Sequence, residues 1–254
     1  IVAGIMVVSV AVVFLTIREP AIEHDVAEYE AEHPEENLTE KDESGNEVLP
    51  KPVRRSLTFL LVSIALWFIG YNAMETWFTT YAAAEWGMAL GDASRCLIVA
   101  NLGAIASYIP VGHIAGKVGR KRTILVGICM LGGGFAFCVV WTFAGGGFSP
   151  VLYAVMVVLG MGWAAINVNS LPMVVEMCKG SDIGKFTGYY YTFSMAAQTV
   201  TPIVAGWLMA NVSYRSLFVY ATVFVFASFV TMQSVHHGDT TNIEKRGLES
   251  FDAD

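Results

Sequence analysis

Six apolar runs of membrane length occupy the chain between residues 57 and 233. A transmembrane helix needs about 20 mostly apolar residues, because the hydrocarbon core of a bilayer is roughly 30 Å thick. The runs are Leu57–Tyr81, Cys96–Ala115, Ile124–Phe143, Val151–Val175, Phe186–Met209 and Leu217–Gln233. Lipid offers the backbone no hydrogen-bond partner, so each run is expected to be a helix. We therefore predict an all-α membrane protein built around a six-helix bundle.

The composition agrees with a membrane protein and argues against an enzyme. Of the 254 residues, 55% are hydrophobic and 15% are charged, whereas a soluble domain is typically about 25% charged. The four cysteines are scattered and form no C-x-x-C pair, so neither a zinc site nor a disulfide framework is indicated. The sequence contains no recognisable Ser/His/Asp arrangement, catalytic carboxylate pair or phosphate-binding loop. We expect no enzyme, no metal and no cofactor.

Acidic residues are concentrated before the first run. The net charge is −7, and 12 of the 22 acidic residues lie between Glu19 and Glu47. This stretch is poor in aromatic residues, which is typical of a flexible connector or a regulatory tether. The chain opens within an apolar run, which predicts the end of a truncated transmembrane span over residues 1–18. We then expect an acidic cytoplasmic linker (19–55), the six-span bundle (56–235) and a cytoplasmic tail (236–254).

A basic, glycine-spaced segment from Val111 to Thr123 sets the predicted topology. It lies between the second and third runs, and its glycines predict a tight loop. With this loop inside, 13 of the 15 Lys and Arg residues fall on the inner side, and only Arg95 and Arg215 fall outside. An excess of Lys and Arg marks the cytoplasmic side. We predict a multi-pass protein of the cell membrane, with its linker and C-terminus in the cytoplasm.

The same segment resembles a family signature. Gly112-His-Ile-Ala-Gly-Lys-Val-Gly-Arg-Lys resembles the second copy of the loop motif G-x-x-x-D-R/K-x-G-R/K-K/R of the major facilitator superfamily. Gly116 stands where the motif has its aspartate, so the carboxylate that often anchors this loop is missing. The resemblance implies the C-terminal half of a twelve-span carrier whose N-terminal half lies outside this sequence. It also implies a gating loop that includes Gly112, Lys117, Gly119, Arg120 and Lys121.

Two further stretches resemble a narrower branch of that family. Gly160–Pro172 is similar to the glycine-rich, N-S-x-P-bearing tenth helix of sucrose/proton and glycoside–pentoside–hexuronide:cation symporters. Gly184–Ser194 resembles the start of the eleventh helix in the bacterial members. These resemblances imply a secondary active transporter that moves a sugar or glycoside with a proton or sodium ion by alternating access. Its partners would be the sugar, the bilayer and the missing half, and no nucleic acid.

Polar groups inside the predicted spans indicate where a site lies, because a charge at the bilayer centre costs about 2.5–3.5 kcal/mol on insertion scales. Glu75 is the carboxylate well inside a run, and Asn72, Thr76 and Thr79 share its helical face. We predict that Glu75 and Asn72 bind substrate hydroxyls or the coupling ion. The alternative is a glutamate near the outer surface that is satisfied by water or by Arg95.

Four more residues complete the predicted site: Asn101, Trp163, Asn167 and Gln198. Asn101 lies at a depth comparable to Glu75, and its amide suits either a sugar hydroxyl or a contact between helices. Trp163 shares a helical face with Asn167 and Ser170, and it is either an aromatic platform for a sugar ring or a packing residue. Gln198 lies near mid-depth on the fifth run, and we predict that it lines the cavity.

Two other functions fit the same pattern. A drug or small-metabolite exporter of the same superfamily would suit the few mid-membrane polar groups and the many aromatic residues. A seven-span receptor or membrane-embedded enzyme would suit an odd number of spans. A retinal protein does not fit, because the last run, Leu217–Gln233, contains no lysine for a Schiff base.

Overall fold

The computed structural model describes residues 12, 40–41, 47–178 and 182–239. Within these residues six helices are long and apolar enough to cross a membrane, which confirms the all-α prediction. They are α1 (Lys51–Trp86), α2 (Leu90–Val118), α3 (Arg120–Phe143), α4 (Val151–Val175), α5 (Ile183–Asn211) and α6 (Ser216–Gln233). Two short antiparallel strands precede them, β1 (Glu40–Lys41) and β2 (Glu47–Val48). The predicted truncated span, most of the acidic linker and the end of the tail lie outside the described residues.

The helices extend beyond the predicted apolar spans at most of their ends. α1 begins at Lys51, so the last residues of the predicted linker (19–55) are helical. Pro52 fits this first turn, because an N–H at that position would have no partner within the helix. With 36 residues, α1 is about 54 Å long, well beyond the roughly 30 Å hydrocarbon core. Apolar runs therefore mark the membrane-embedded part of a helix and miss its polar ends.

The predicted gating loop is largely helical, which corrects the sequence-based prediction. α2 continues through Gly112 and Lys117 to Val118, and α3 begins directly at Arg120. Gly119 alone makes the reversal, with a φ of 103° that favours glycine. Its N–H still donates to the carbonyl of Ala115 at 2.9 Å. The glycines at 112 and 116 do not end the helix, because helix propensity is a weak determinant that packing overrides.

The helices pack in a series that differs from their order in the chain. Neighbours with extensive contacts follow the order α5–α1–α6–α3–α4–α2. α2 and α5 stand at the two ends of this series and do not contact each other within the described chain. They also bury the smallest share of their apolar windows among the six helices. One broad side of the bundle is therefore left open, bordered by α2 and α5.

The series has an internal symmetry. When α1, α2 and α3 are exchanged with α4, α5 and α6, respectively, the set of extensive contacts stays the same. The α1–α5 contact then corresponds to α4–α2, and the α1–α6 contact corresponds to α4–α3. α1 and α4 run in opposite directions through the bundle, because the chain crosses the bundle three times, in α1, α2 and α3, before α4 begins. The bundle therefore consists of two three-helix units in inverted orientation, with α1 and α4 as corresponding members.

Glycines allow α4 to approach two neighbours closely. A Cβ added at Gly160 would lie 1.9 Å from the carbonyl oxygen of Ala100 in α2. A Cβ added at Gly127 of α3 would lie 2.7 Å from the carbonyl oxygen of Gly162. Helices in lipid associate through close packing of small residues, because lipid tails are as apolar as the side chains. These positions therefore hold α4 between α2 and α3.

Aromatic residues close the end of the bundle opposite the basic segment. The Tyr81 hydroxyl is hydrogen-bonded to the Thr142 hydroxyl, and Trp86 Nε1 donates to Thr142 Oγ1 at 2.9 Å. Both rings pack on Phe218 of α6, with centroids 4.8 Å and 5.9 Å away. Because the polar atoms of these aromatics have partners, this buried cluster joins α1, α3 and α6 without an unsatisfied donor.

The close approach of α2 and α4 predicts a specific sensitivity to a single methyl group. Gly160→Ala places a Cβ against the Ala100 carbonyl and is expected to lower the free energy of unfolding by about 1–3 kcal/mol. Gly133→Ala in α3 is the matched control, since nothing lies within 4 Å of an added Cβ there. It should be neutral or slightly stabilising. Thermal unfolding in detergent measures both, and equal midpoints would contradict the packing argument.

Candidate functional site

Glu75 lies on the face of α1 that carries the central aromatic residues. It follows Tyr71 by one turn and Phe68 by two, so the three side chains share a face. The Glu75 side chain is exposed in this six-helix bundle. Asn72 is half-buried, and its Nδ2 donates to the Phe68 carbonyl at 2.9 Å. The carboxylate therefore stands beside a wall of aromatic rings.

That wall joins α1 to its symmetry-related helix α4. The rings of Tyr71 and Trp163 stack with centroids 3.8 Å apart and planes within 1° of parallel. Phe68 meets the same indole edge-on at 5.1 Å. Trp163 is only 9% exposed, so the ring face against Tyr71 is closed to any ligand. This geometry supports the packing interpretation of Trp163, and its contact with a substrate stays a prediction.

A polar cluster lies one turn further along α4. The Tyr190 hydroxyl of α5 is 3.2 Å from Ser170 Oγ, and it donates to Asn167 Oδ1 at 3.5 Å. The Tyr190 ring also packs edge-on against Phe68, with centroids 6.4 Å apart. α1, α4 and α5 therefore meet around one group of aromatic, amide and hydroxyl side chains. The predicted residues Trp163 and Asn167 both belong to it.

The other predicted residues are not joined to this cluster. Asn101 is exposed on α2, and its side chain makes no hydrogen bond within the described chain. Gln198 is half-buried on α5, and its amide nitrogen lies 3.7 Å from Met195 Sδ. Arg95 pairs with Asp92 at 2.9 Å instead of with Glu75. Among the described residues, Glu75 has no ion-pair partner.

Three residues of the cluster were not predicted as site residues: Phe68, Tyr71 and Tyr190. For two of them a signal exists in the sequence, since Phe68 and Tyr71 precede Glu75 by seven and four residues, the spacing of one helical face. Tyr190 lies in a run of three tyrosines, and only the packing of α5 distinguishes the buried one from its neighbours.

Two of the predicted gating residues, Arg120 and Lys121, connect helix ends at the basic end of the bundle. Arg120 makes an ion pair with Glu176, the residue that follows α4. Lys121 Nζ donates to the carbonyl of Gln233, at the end of α6, at 3.1 Å. A cation at this position is favourable, because the last carbonyls of a helix lack partners and carry partial negative charge.

A distant carboxylate caps the start of α3. Asp239 Oδ1 accepts the backbone N–H of Lys121 at 3.0 Å, and the carboxylate would lie 3.0 Å from a Cβ added at Gly119. An anion at this place satisfies a free N–H and interacts favourably with the helix dipole. The sequence predicts an unanchored loop because Gly116 replaces the motif aspartate. The structure instead supplies an acid from the chain beyond α6.

Comparison with known proteins identifies a family and a set of similar folds. Residues 83–248 match the Major Facilitator Superfamily. A crystal structure of the peptide transporter POT (E310Q mutant) is similar with a TM-score of 0.61 and 18% identity, over 78% of this chain and 43% of that one. The human organic anion transporter MFSD10 (TETRAN) gives 0.58 and 11%, over 74% and 49%. No curated protein matches the chain significantly.

A bacterial homologue of the iron transporter ferroportin is also similar, with a TM-score of 0.54 and 15% identity, over 76% of this chain and 50% of that one. The chain thus spans half or less of each of these structures. At such low identity the likeness concerns the fold alone. The branch of sugar:cation symporters is not among these matches.

The capping carboxylate yields a testable prediction. Asp239→Asn removes the negative charge at the start of α3 and is expected to lower the free energy of unfolding by about 1 kcal/mol. Asp182→Asn serves as the control, because Asp182 also stands at a helix start, where it pairs with the exposed Lys185 at 3.9 Å but caps no backbone N–H of α5. Its effect should be less than half as large in thermal unfolding. Equal effects would show that Asp239 contributes no specific cap.

Proposed function

The chain belongs to the Major Facilitator Superfamily, and from that premise we propose that it forms the C-terminal bundle of a secondary active carrier. The observation that best supports this proposal is the position of Glu75 on α1. It lies beside the Tyr71–Trp163 stack and the Asn167–Ser170–Tyr190 cluster. The open side of the bundle would face a second bundle, and the substrate would bind between them. Rocking of the two bundles would then expose the site to each side in turn.

Charge at the two ends of the bundle supports the proposed orientation. Lys51, Arg55, Lys117 and the cations at the start of α3 lie at one end, whereas Arg95 and Arg215 lie near the other. Cytoplasmic segments of membrane proteins carry the excess of Lys and Arg. We assign the basic end, with the linker and tail, to the cytoplasm of a cell-membrane protein.

The proposed substrate is a sugar or glycoside. Asn167, Ser170 and Tyr190 offer both donors and acceptors, which is what a molecule with many hydroxyl groups requires. The adjacent rings give an apolar surface against which the C–H face of a sugar could lie. Gln198 and Asn101 border the open side on α5 and α2, and in the proposal they complete the cavity with Asn72.

Glu75 is the proposed coupling group. It lies well inside α1 and has no ion-pair partner within the described residues. Such a carboxylate can take up a proton or hold a sodium ion and so link the gradient to the substrate. Neutralising it by binding either ion would lower the cost of enclosing the site between the two bundles as they rock.

The coupling role is tested with Glu75→Gln in the full-length carrier, reconstituted in liposomes. Uptake driven by an imposed proton or sodium gradient should fall at least tenfold, whereas exchange of substrate across the membrane without a gradient should persist. Glu85→Gln is the control, because Glu85 pairs with Arg215 at 2.9 Å near the end of α1. It should leave coupled uptake near the wild-type level. Gradient-driven uptake that survives in the Glu75 variant would refute the role.

The binding cluster is tested with Tyr190→Phe, which removes one hydroxyl and keeps the ring. The loss of its hydrogen bonds to Ser170 and Asn167 should raise the KM for substrate about fivefold, the equivalent of roughly 1 kcal/mol. Tyr191→Phe is the matched control, since Tyr191 is exposed and its hydroxyl makes no hydrogen bond within the described chain. An unchanged KM in the Tyr190 variant would remove the cluster from the substrate site.

An exporter of drugs or small metabolites is the second candidate. The aromatic character of the cluster favours it, because stacked rings also suit amphipathic molecules. Gradient-driven sugar uptake and drug efflux by the same reconstituted protein separate the two. Family membership favours a transporter over the seven-span receptor or membrane enzyme.

A further inference from the structure

A polar cavity of about 450 Å³ opens at the basic end of the bundle, away from the proposed transport site. It lies between the start of α1 and the residues directly after α6, which we call the post-α6 segment (234–239). Lys51, Arg55 and Ser56 line it from α1, and His236 and His237 line it from the post-α6 segment. None of these residues takes part in the transport mechanism proposed above.

The lining is cationic. Lys51 and Arg55 are one helical turn apart on the same face of α1, and both are exposed. No acidic side chain lines the cavity among the described residues. The first turn of α1 also contains no acidic residue and no side-chain cap, so nothing there offsets the positive charge. Such a cavity suits an anion with several oxygen acceptors.

The two histidines are held in place by a buried serine. Ser56 Oγ accepts the backbone N–H of His236 at 3.2 Å and lies 2.9 Å from His237 Nδ1. When the Ser56 hydroxyl donates to Nδ1, the hydrogen of the neutral imidazole is on Nε2. His237 then has one ring nitrogen engaged with the protein and one N–H donor left for a ligand.

The depth of the cavity indicates the source of the anion. α6 has 18 residues, which is about 27 Å of helix, close to the roughly 30 Å hydrocarbon core. The cavity begins at the next residue, Ser234, and therefore lies at the level of the lipid headgroups. With the proposed orientation this is the cytoplasmic leaflet, where each Lys or Arg near the surface strengthens attraction to anionic lipid about fivefold.

We propose that this cavity binds the phosphate of an anionic lipid headgroup, with Lys51 and Arg55 as the charged ligands and His237 as a hydrogen-bond donor. Free phosphate shares the same chemistry and is distinguished by experiment. The acidic part of the linker, residues 19–47, is a competing occupant, because it carries 12 carboxylates. The depth of the cavity favours the lipid.

The test uses the full-length carrier in detergent, with phosphatidylglycerol and phosphatidylcholine of identical acyl chains titrated and counted by native mass spectrometry. Wild-type protein should retain phosphatidylglycerol in preference to phosphatidylcholine. Arg55→Ala should lower the affinity for phosphatidylglycerol about fivefold, and Lys51→Ala with Arg55→Ala about 30-fold. Arg54→Ala is the matched control, because Arg54 is an exposed cation next to Arg55 that does not line the cavity. It should change the affinity less than twofold.

Equal losses for Arg54→Ala and Arg55→Ala would overturn the proposal, since they indicate general attraction to a basic surface. Inorganic phosphate that binds as tightly as phosphatidylglycerol would overturn the lipid as the source. A peptide of residues 19–47 that displaces the lipid from wild type, but has no effect on the Lys51/Arg55 variant, would assign the cavity to the linker. Thermal unfolding of the two single variants and the double variant should match that of wild type, which shows that the fold is intact. Lipid binding measured by mass spectrometry does not depend on transport activity.

Discussion

The bundle depends on how closely two backbones can approach in the absence of water. At Ala100 and Gly160, and again at Gly127 and Gly162, there is no room for an additional methyl group between helices. Lipid supplies no hydrophobic force to draw helices together, so this contact of small residues determines which helices become neighbours. α4 is fixed between α2 and α3 as a result. Its inverted counterpart α1 lies between α5 and α6, where Gly70 approaches the Ala221 carbonyl of α6 and Gly206 of α5 lies against the Trp77 ring.

The central placement of α1 and α4 brings the site together. Tyr71 and Trp163 stack because the two helices that carry them are symmetry-related and face each other. The stack gives a rigid wall, and Asn167 and Tyr190 place polar atoms next to it. Glu75 lies outside this packing, one turn from Tyr71, and has no ion-pair partner among the described residues. In the proposed carrier, a packed wall for the substrate would therefore lie beside an unpaired carboxylate.

Much of the fold follows from the sequence, because span length is a local property. The bounds of α4, Val151–Val175, agree with the apolar run to the residue. Other helices exceed their runs, since hydropathy does not register polar helix ends. The prediction of a loop at Gly112 is wrong for a similar reason, because glycine spacing does not show that packing keeps α2 helical. The Tyr71–Trp163 stack was not foreseen, because it depends on contacts between residues distant in the chain.

The cap at the start of α3 has a consequence for the order of folding. Lys121 and Asp239 are separated by 118 residues, so the start of α3 leaves the ribosome long before its capping carboxylate is made. During synthesis α3 through α6 must insert while this end of the bundle is still incomplete. The Asp239 cap on α3 can therefore form only late, after all six helices have been synthesised. The packed bundle therefore includes Asp239, six residues beyond the end of α6.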